Sequence, residues 1–308
     1  MVDAETIANC GFDLQVNKIR RFQVRSDDIF IVTYPKSGTT WMKELVPLVI
    51  NGGDIDSIKD TPPDARVPHL EFTVSDDPLL KHLQATLGVN EDFDLNKMVS
   101  PRTIVSHLEA KYLPQQIEEK KCKVIYVSRN PKDVAVSCFH FVQAVTSSRS
   151  SPGYESFSAF LLDFISAKND AQCVIYGGSL WKDHVLHWWS RRHDSNVLFM
   201  FYEDMKQDLI GNIRKVAEFL EVKLDDNVVD KIADHCSFDS MKKNPMALKS
   251  DYCSQRLKVN PTQDSPFVRK GKVGGWKNYF TVADNELFDS LYKVWIKDSD
   301  LKMQFDLP

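Results

Sequence analysis

The chain has 308 residues, enough for one large domain with a sizeable core. Hydrophobic residues make up 43% and charged residues 27%, and the net charge of −4 excludes the broad basic surface that nucleic acids or acidic membranes require. An anion site in this chain has to be local. The opening Met1-Val2-Asp3-Ala4-Glu5 carries acids and no long apolar run, so no secretory signal is expected. No stretch reaches the ~18 apolar residues of a membrane span. The six cysteines (Cys10, Cys122, Cys138, Cys173, Cys236, Cys253) are scattered without a C-x-x-C pair. That pattern predicts reduced thiols, a cytoplasmic protein and no zinc site.

In chain order, the first strand candidate is Ile29 to Tyr34, a β-branched apolar run ended by Pro35. A helix is predicted over Thr40 to Ile50. Residues 51 to 78 follow as a loop-rich stretch holding Gly52-Gly53, Pro62-Pro63 and Pro68. Thr103 to Ser106 reads as a short strand and Lys123 to Ser128 as a longer one. Pro131 can open a helix that continues over Lys132 to Val142. After a small polar stretch at 147 to 153, helices are expected over Phe157 to Ala167 and Leu180 to Arg192. Val197 to Tyr202 is a further strand, with helices over Ile213 to Leu220 and Asp225 to Cys236. Residues 244 to 275 look irregular. Continuous apolar strands alternating with helices predict a single α/β domain over 1–308, with a mainly parallel central sheet flanked by helices.

Two turns carry chemistry. Tyr34-Pro35-Lys36-Ser37-Gly38-Thr39-Thr40-Trp41 joins the first strand to its helix, a P-loop-like arrangement. A helix N-terminus offers unpaired N–H groups to an anion. Gly38 lets backbone approach it, Ser37, Thr39 and Thr40 add hydroxyls, Lys36 adds a charge, and Trp41 can stack on a base. The pattern is not G-x-x-x-x-G-K-[ST], since the first glycine is absent and the lysine precedes Gly38. Arg129-Asn130-Pro131-Lys132-Asp133-Val134-Ala135-Val136-Ser137 follows the Lys123 to Ser128 strand. Arg129 at a strand end, with Ser137 in the next helix, suits a second phosphate. Alone, Arg129 reads equally well as a surface ion pair.

Together these motifs resemble those of the cytosolic sulfotransferases. Thr33 to Trp41 matches the family's T-Y-P-K-S-G-T-T-W, and Arg129 to Ser137 its R-N-P/A-K-D-x-x-V-S. The resemblance continues through Phe201-Tyr202-Glu203-Asp204-Met205, Ser237-Phe238, Met241 to Met246, Phe267 to Gly271, and Gly275-Trp276-Lys277. It implies transfer of a sulfuryl group from 3'-phosphoadenosine-5'-phosphosulfate (PAPS) to a small acceptor, leaving adenosine 3',5'-bisphosphate (PAP), without a metal. It implies that Lys36 to Trp41 hold the phosphosulfate and part of the adenine. Arg129, Ser137, Arg269, Lys270 and Gly271 would bind the 3'-phosphate, and Tyr202, Ser237 and Phe238 would border the nucleoside.

Such a transfer needs a base for the acceptor's proton, and histidine suits the task. Eight histidines are present, and spacing alone does not choose among them. His107 follows the Thr103 to Ser106 strand, and the resemblance assigns it the family's catalytic histidine. Val105 stands where many relatives carry a lysine. Lys36 is then the main group stabilising the leaving phosphate. Phe141 corresponds to an aromatic that lines acceptor pockets, while His69 replaces a phenylalanine there. Phe139 divides evenly between core and pocket, and Trp188-Trp189 read as core. An aromatic pocket suits a phenol or flat hydrophobic alcohol, and His69 admits a more polar acceptor. Lys277 to Glu286 fits the family's K-x-x-x-T-V-x-x-x-E dimer motif, implying a weak homodimer, with a capped helix start as the plainer reading. A small-molecule kinase would need the missing phosphate-loop glycine. A non-catalytic PAPS binder is favoured only by Val105.

Overall fold

The computed structural model describes residues 12–73, 94–119, 122–148, 153–166, 179–244, 246 and 269–307. Cys10, Cys173, Cys253, Phe267 and Val268 lie outside them, as do most of the irregular stretch at 244 to 275, the end of the 51 to 78 loop and the middle of the 147 to 153 stretch. Four parallel strands form the sheet: β1 (Ile29–Thr33), β2 (Thr103–Ser106), β3 (Lys123–Ser128) and β4 (Val197–Phe201). Their order is β2-β1-β3-β4. Ile31 of β1 stands opposite Val105 on one side and Ile125 on the other.

The strands read as unbroken apolar runs because both faces of the sheet are covered. Phe30, Val32, Ile104, Val124 and Tyr126 enter one core. Ile31, Val105, Ile125 and Val127 enter the other. The first core is closed by helix α1 (Phe12–Arg20) and by three elements further along the chain. These are α3 (Pro131–Ser148), α4 (Phe157–Ser166) and α5 (Trp181–Ser190). Helix α2 (Thr39–Ile50), α6 (Tyr202–Gln207), α7 (Leu209–Phe219), α8 (Asp226–His235) and α9 (Phe238–Lys243) supply the second core. The last helix, α10 (Val282–Ile296), returns to the first core through Phe288 and Tyr292.

The two expected tryptophans divide. Trp188 is fully buried, and Trp189 packs at the core's edge on Phe199 and Phe201. Cys122, Cys138 and Cys236 are buried free thiols. No described helix is long and apolar enough to cross a membrane.

Topology places the site. From β1 the chain moves outward to β2, then crosses back to β3 and β4. The connections therefore diverge at β1, which opens a crevice beyond the carboxyl ends of the strands. Lys36, His107, Arg129 and Tyr202 each lie within three residues after a strand's end, so the four meet at that crevice.

Candidate active site

The loop after β1 is shaped to accept an anion. Lys36 and Gly38 both take positive φ, at 69° and 119°. A lysine held there is strained, and such alternation turns successive N–H groups to one side. Gly38 is the N-cap of α2 and gives it no side-chain cap, so the first N–H groups of the helix stay available. A Cβ on Gly38 would sit 3.2 Å from the Tyr202 ring. Ser37 is completely buried, and its Oγ has no hydrogen-bond partner among the described residues. Lys36 Nζ lies 4.6 Å from the centre of the Phe141 ring, which joins the phosphate loop to α3.

Arg129 spans two loops. Its Nη1 donates to the Lys36 carbonyl at 3.1 Å and its Nη2 to that of Lys272 at 3.3 Å, over the face of Tyr202 at 4.4 Å. Its buried Nε has no partner among the described residues. Ser137 is half-buried on α3. Gly271, at φ 58°, presses on Phe238, where a Cβ would come within 2.2 Å of the ring. Trp41 packs edge-on against Tyr202 at 5.5 Å, and Lys206 stands over both Trp41 and Phe238. Ser237 caps α9, its Oγ accepting from Ser240 N–H at 3.2 Å. Arg269 and Lys270 lie over Tyr279, at 6.0 and 5.8 Å. Residues separated by more than two hundred positions in the chain thus form one cationic and aromatic surface.

Two carboxylates that sequence reasoning missed hold this surface together. Asp133 accepts from the N–H groups of Gly274 and Trp276, both at 2.9 Å, and from Asn130 Nδ2 at 3.0 Å. It ties the segment bearing Arg269 to Gly271 onto the start of α3. Glu203 Oε1 accepts from Asn130 N–H at 2.9 Å. Burial pushes the Glu203 carboxyl up to about 7, against the pull of those hydrogen bonds and of Arg129. Both residues stand inside the quoted motifs, which was the available signal. Lys132, also inside a motif, turns away from the crevice. It is buried beneath Trp276, at 4.2 Å, and donates to Asn285 Oδ1 at 2.6 Å.

His107 is fixed at β2's end. Its Nδ1 lies 2.8 Å from the Thr33 carbonyl, which can only accept, so Nδ1 carries the proton and Nε2 the lone pair. The Thr33 hydroxyl also meets Thr39 Oγ1 at 2.7 Å, so one residue links the histidine to the phosphate loop. The backbone N–H of His107 donates to Glu71 Oε1 at 2.9 Å. Burial, then His69 and Lys43, lowers the His107 pKa to about 3, while Glu71 and the Thr33 carbonyl pull the other way. The residue as a whole is partly exposed, and the ring is neutral at ordinary pH.

His69 stands beside it, ring centres 5.0 Å apart. Its Nδ1 is 3.4 Å from Glu71 and its Nε2 3.7 Å from Asp64, itself ion-paired with buried Lys43. Burial, followed by Lys43, lowers His69 to about 3 as well. Val105 is fully buried on the α2 side of the sheet. Phe139 packs among Phe157 and Phe160, each at 5.6 Å, in the contact between α3 and α4.

The comparisons with known proteins show the family. Residues 26–300 match the family model described as a sulfotransferase domain. The chain belongs to the sulfotransferase family. It is 42% identical to sulfotransferase 1E1 of Bos taurus over 94% of this chain and 90% of the relative. Among solved structures it is similar to mouse sulfotransferase SULT7A1 complexed with PAP, at TM-score 0.68 and 32% identity over 94% of this chain and 90% of that one. It is also similar to retinol dehydratase in a complex with retinol and PAP, at TM-score 0.76 and 27% identity over 96% and 88%. This sulfotransferase is a PAPS-dependent enzyme acting on small acceptors. Buried Ser37 Oγ and Arg129 Nε, without partners among the described residues, and the positive-φ loop suit a ligand with two separated anionic ends.

Proposed function

We propose that this sulfotransferase sulfates a hydroxyl or amine of a small hydrophobic, phenol-like acceptor, with His107 as general base and Lys36 at the leaving phosphate. The observation that carries the reading is the His107 tautomer. With Nδ1–H held by the Thr33 carbonyl, Nε2 is the atom left to accept a proton. Bound PAPS supplies the sulfuryl group. His107 takes the acceptor's proton as the new bond to sulfur forms and the bond from sulfur to the bridging phosphate oxygen breaks. Lys36 and the N–H groups at the start of α2 stabilise the charge gathered on that oxygen. Arg129, Ser137, Arg269, Lys270 and Gly271 hold the 3'-phosphate. Tyr202, Phe238, Trp41 and the Ser237 turn border the nucleoside.

Phe141 and His69 line the acceptor side, the first apolar and the second a neutral polar ring. That retinol dehydratase is seen with retinol supports room for a hydrophobic alcohol in this fold. Lys277 pairs with Asp306 of its own chain at 2.8 Å, and Thr281 with Asp284 forms a capping box that starts α10. The exposed Val282 beside them, at 77%, leaves a small surface suited to a weak, reversible two-fold dimer.

The test is His107→Ala. Turnover of a simple phenol should be lost, while stabilisation against heat by PAP should match the parent's. Turnover at the parent's rate would remove His107 from the mechanism.

A further inference from the structure

His140 lies where the two anion-binding regions meet, and nothing in the mechanism above uses it. It stands on α3 one turn after Ser137 and next to Phe141, the ring that Lys36 covers. Its Nε2 is 2.8 Å from the Tyr279 hydroxyl, with the two rings edge to face at 5.1 Å. Tyr279 is the residue over which Arg269 and Lys270 stand. A neutral imidazole nitrogen can accept the Tyr279 proton, and a protonated one can donate to its oxygen. Tyr279 stands between the two cations and His140.

Resting on the PAPS-dependent reading, we infer that His140 takes up a proton when the bisphosphate nucleotide binds, and so becomes one more cation of the nucleotide site. The charged groups that face it are Arg269 and Lys270 from the segment before the Gly275 turn and Lys36 from the phosphate loop. The carboxylate in this neighbourhood, Asp133, is engaged by the Gly274 and Trp276 N–H groups. With no anion bound, partial burial and these three cations hold His140 down to about 4. An anion between the clamps reverses the local field, because its charges outnumber the nearest cation's. It also draws the Arg269 guanidinium onto phosphate oxygen. The Tyr279 oxygen can accept from a protonated Nε2–H, so the contact with His140 serves either charge state.

The sign of the linkage follows. The free site binds fewer protons at His140 than the occupied one. Nucleotide affinity should strengthen as pH falls toward the occupied-state pKa, by up to about tenfold per pH unit. The nucleotide's own phosphates also titrate, so the measurement has to be differential.

Calorimetry of PAP binding at about pH 6, in buffers of differing ionisation enthalpy, counts the protons taken up. The wild-type enzyme should take up at least ~0.3 proton more than His140→Gln, and its affinity should rise more steeply as pH falls. Equal uptake by the two would overturn the inference. Absence of PAP binding by the wild type would overturn the nucleotide reading beneath it, a distinct result. Should His140→Gln fail to fold, histidine-labelled wild type titrated by NMR decides the matter. One imidazole pKa must rise on adding PAP, and none rising refutes it.

Discussion

Replacing Lys132 by methionine removes one buried charge while keeping an unbranched stem of similar length. Lys132 is 3% exposed. Its ammonium donates to Asn285 at 2.6 Å and pairs with Asp289 at 2.5 Å, both on α10. It also faces the rings of Trp276 at 4.2 Å and Phe305 at 5.2 Å. A hydrogen bond to a charged group is worth about 1.5–3 kcal/mol, and a cation–π contact of this kind about 0.5–2 kcal/mol. Asp289 is 42% exposed and regains water when the ammonium goes, which trims the loss. Methionine restores much of the packing. The net cost should be about 2–3 kcal/mol, or a fall in Tm of roughly 3–5 °C for a chain of this length. Urea unfolding measures it, with the midpoint shifting and the slope unchanged. Affinity for PAP per folded molecule should stay within about twofold, since about 1.4 kcal/mol would be needed for a tenfold change. A loss of stability below ~0.5 kcal/mol, within the range of ordinary surface changes, would refute the cage. Lost PAP affinity at full stability would place Lys132 among the nucleotide-binding residues instead.

Other expectations follow from the same geometry. Gly271→Ala forces the Phe238 ring to move and strains a positive-φ position, so PAP affinity should fall by at least about tenfold, read by titration calorimetry. Unchanged affinity would separate that contact from the nucleotide site. Asp133→Asn should weaken PAP binding through the loosened 269–276 segment while leaving the His107 region intact, and a parent-like Kd would dismiss it as a positioning residue. Stability should fall as pH drops from about 6.5 toward 4.5. In that window the unfolded chain protonates His69, His107 and His184, each held near 3 in the fold, whereas the fold gains one proton at Glu203. The unfolded state binds more protons, at a limit of about 1.4 kcal/mol per pH unit for each net proton. Urea midpoints at the two ends of the window check the sign, and a flat profile would contradict the buried neutral histidines.

Composition, the four strands and both anion motifs were legible in the chain. Thr103 to Ser106 and Lys123 to Ser128 are found with the expected bounds, because a parallel strand buried on both faces needs apolar residues at every position. Helix bounds were less legible. The α3 segment runs on from Val142 to Ser148, past the bound that its local pattern marked. The chain also revealed which residues could bind an anion, since glycine, hydroxyl and cation in one turn have few other uses. It did not reveal which residues orient them. That Thr33 sets the His107 tautomer, that Asp133 clasps a loop about 140 positions away, and that Lys132 serves the fold are matters of distance between remote segments. Local pattern records what a residue can do at short range. The directions of its hydrogen bonds, and the field that sets a histidine's charge, exist only after the sheet has brought its carboxyl ends together.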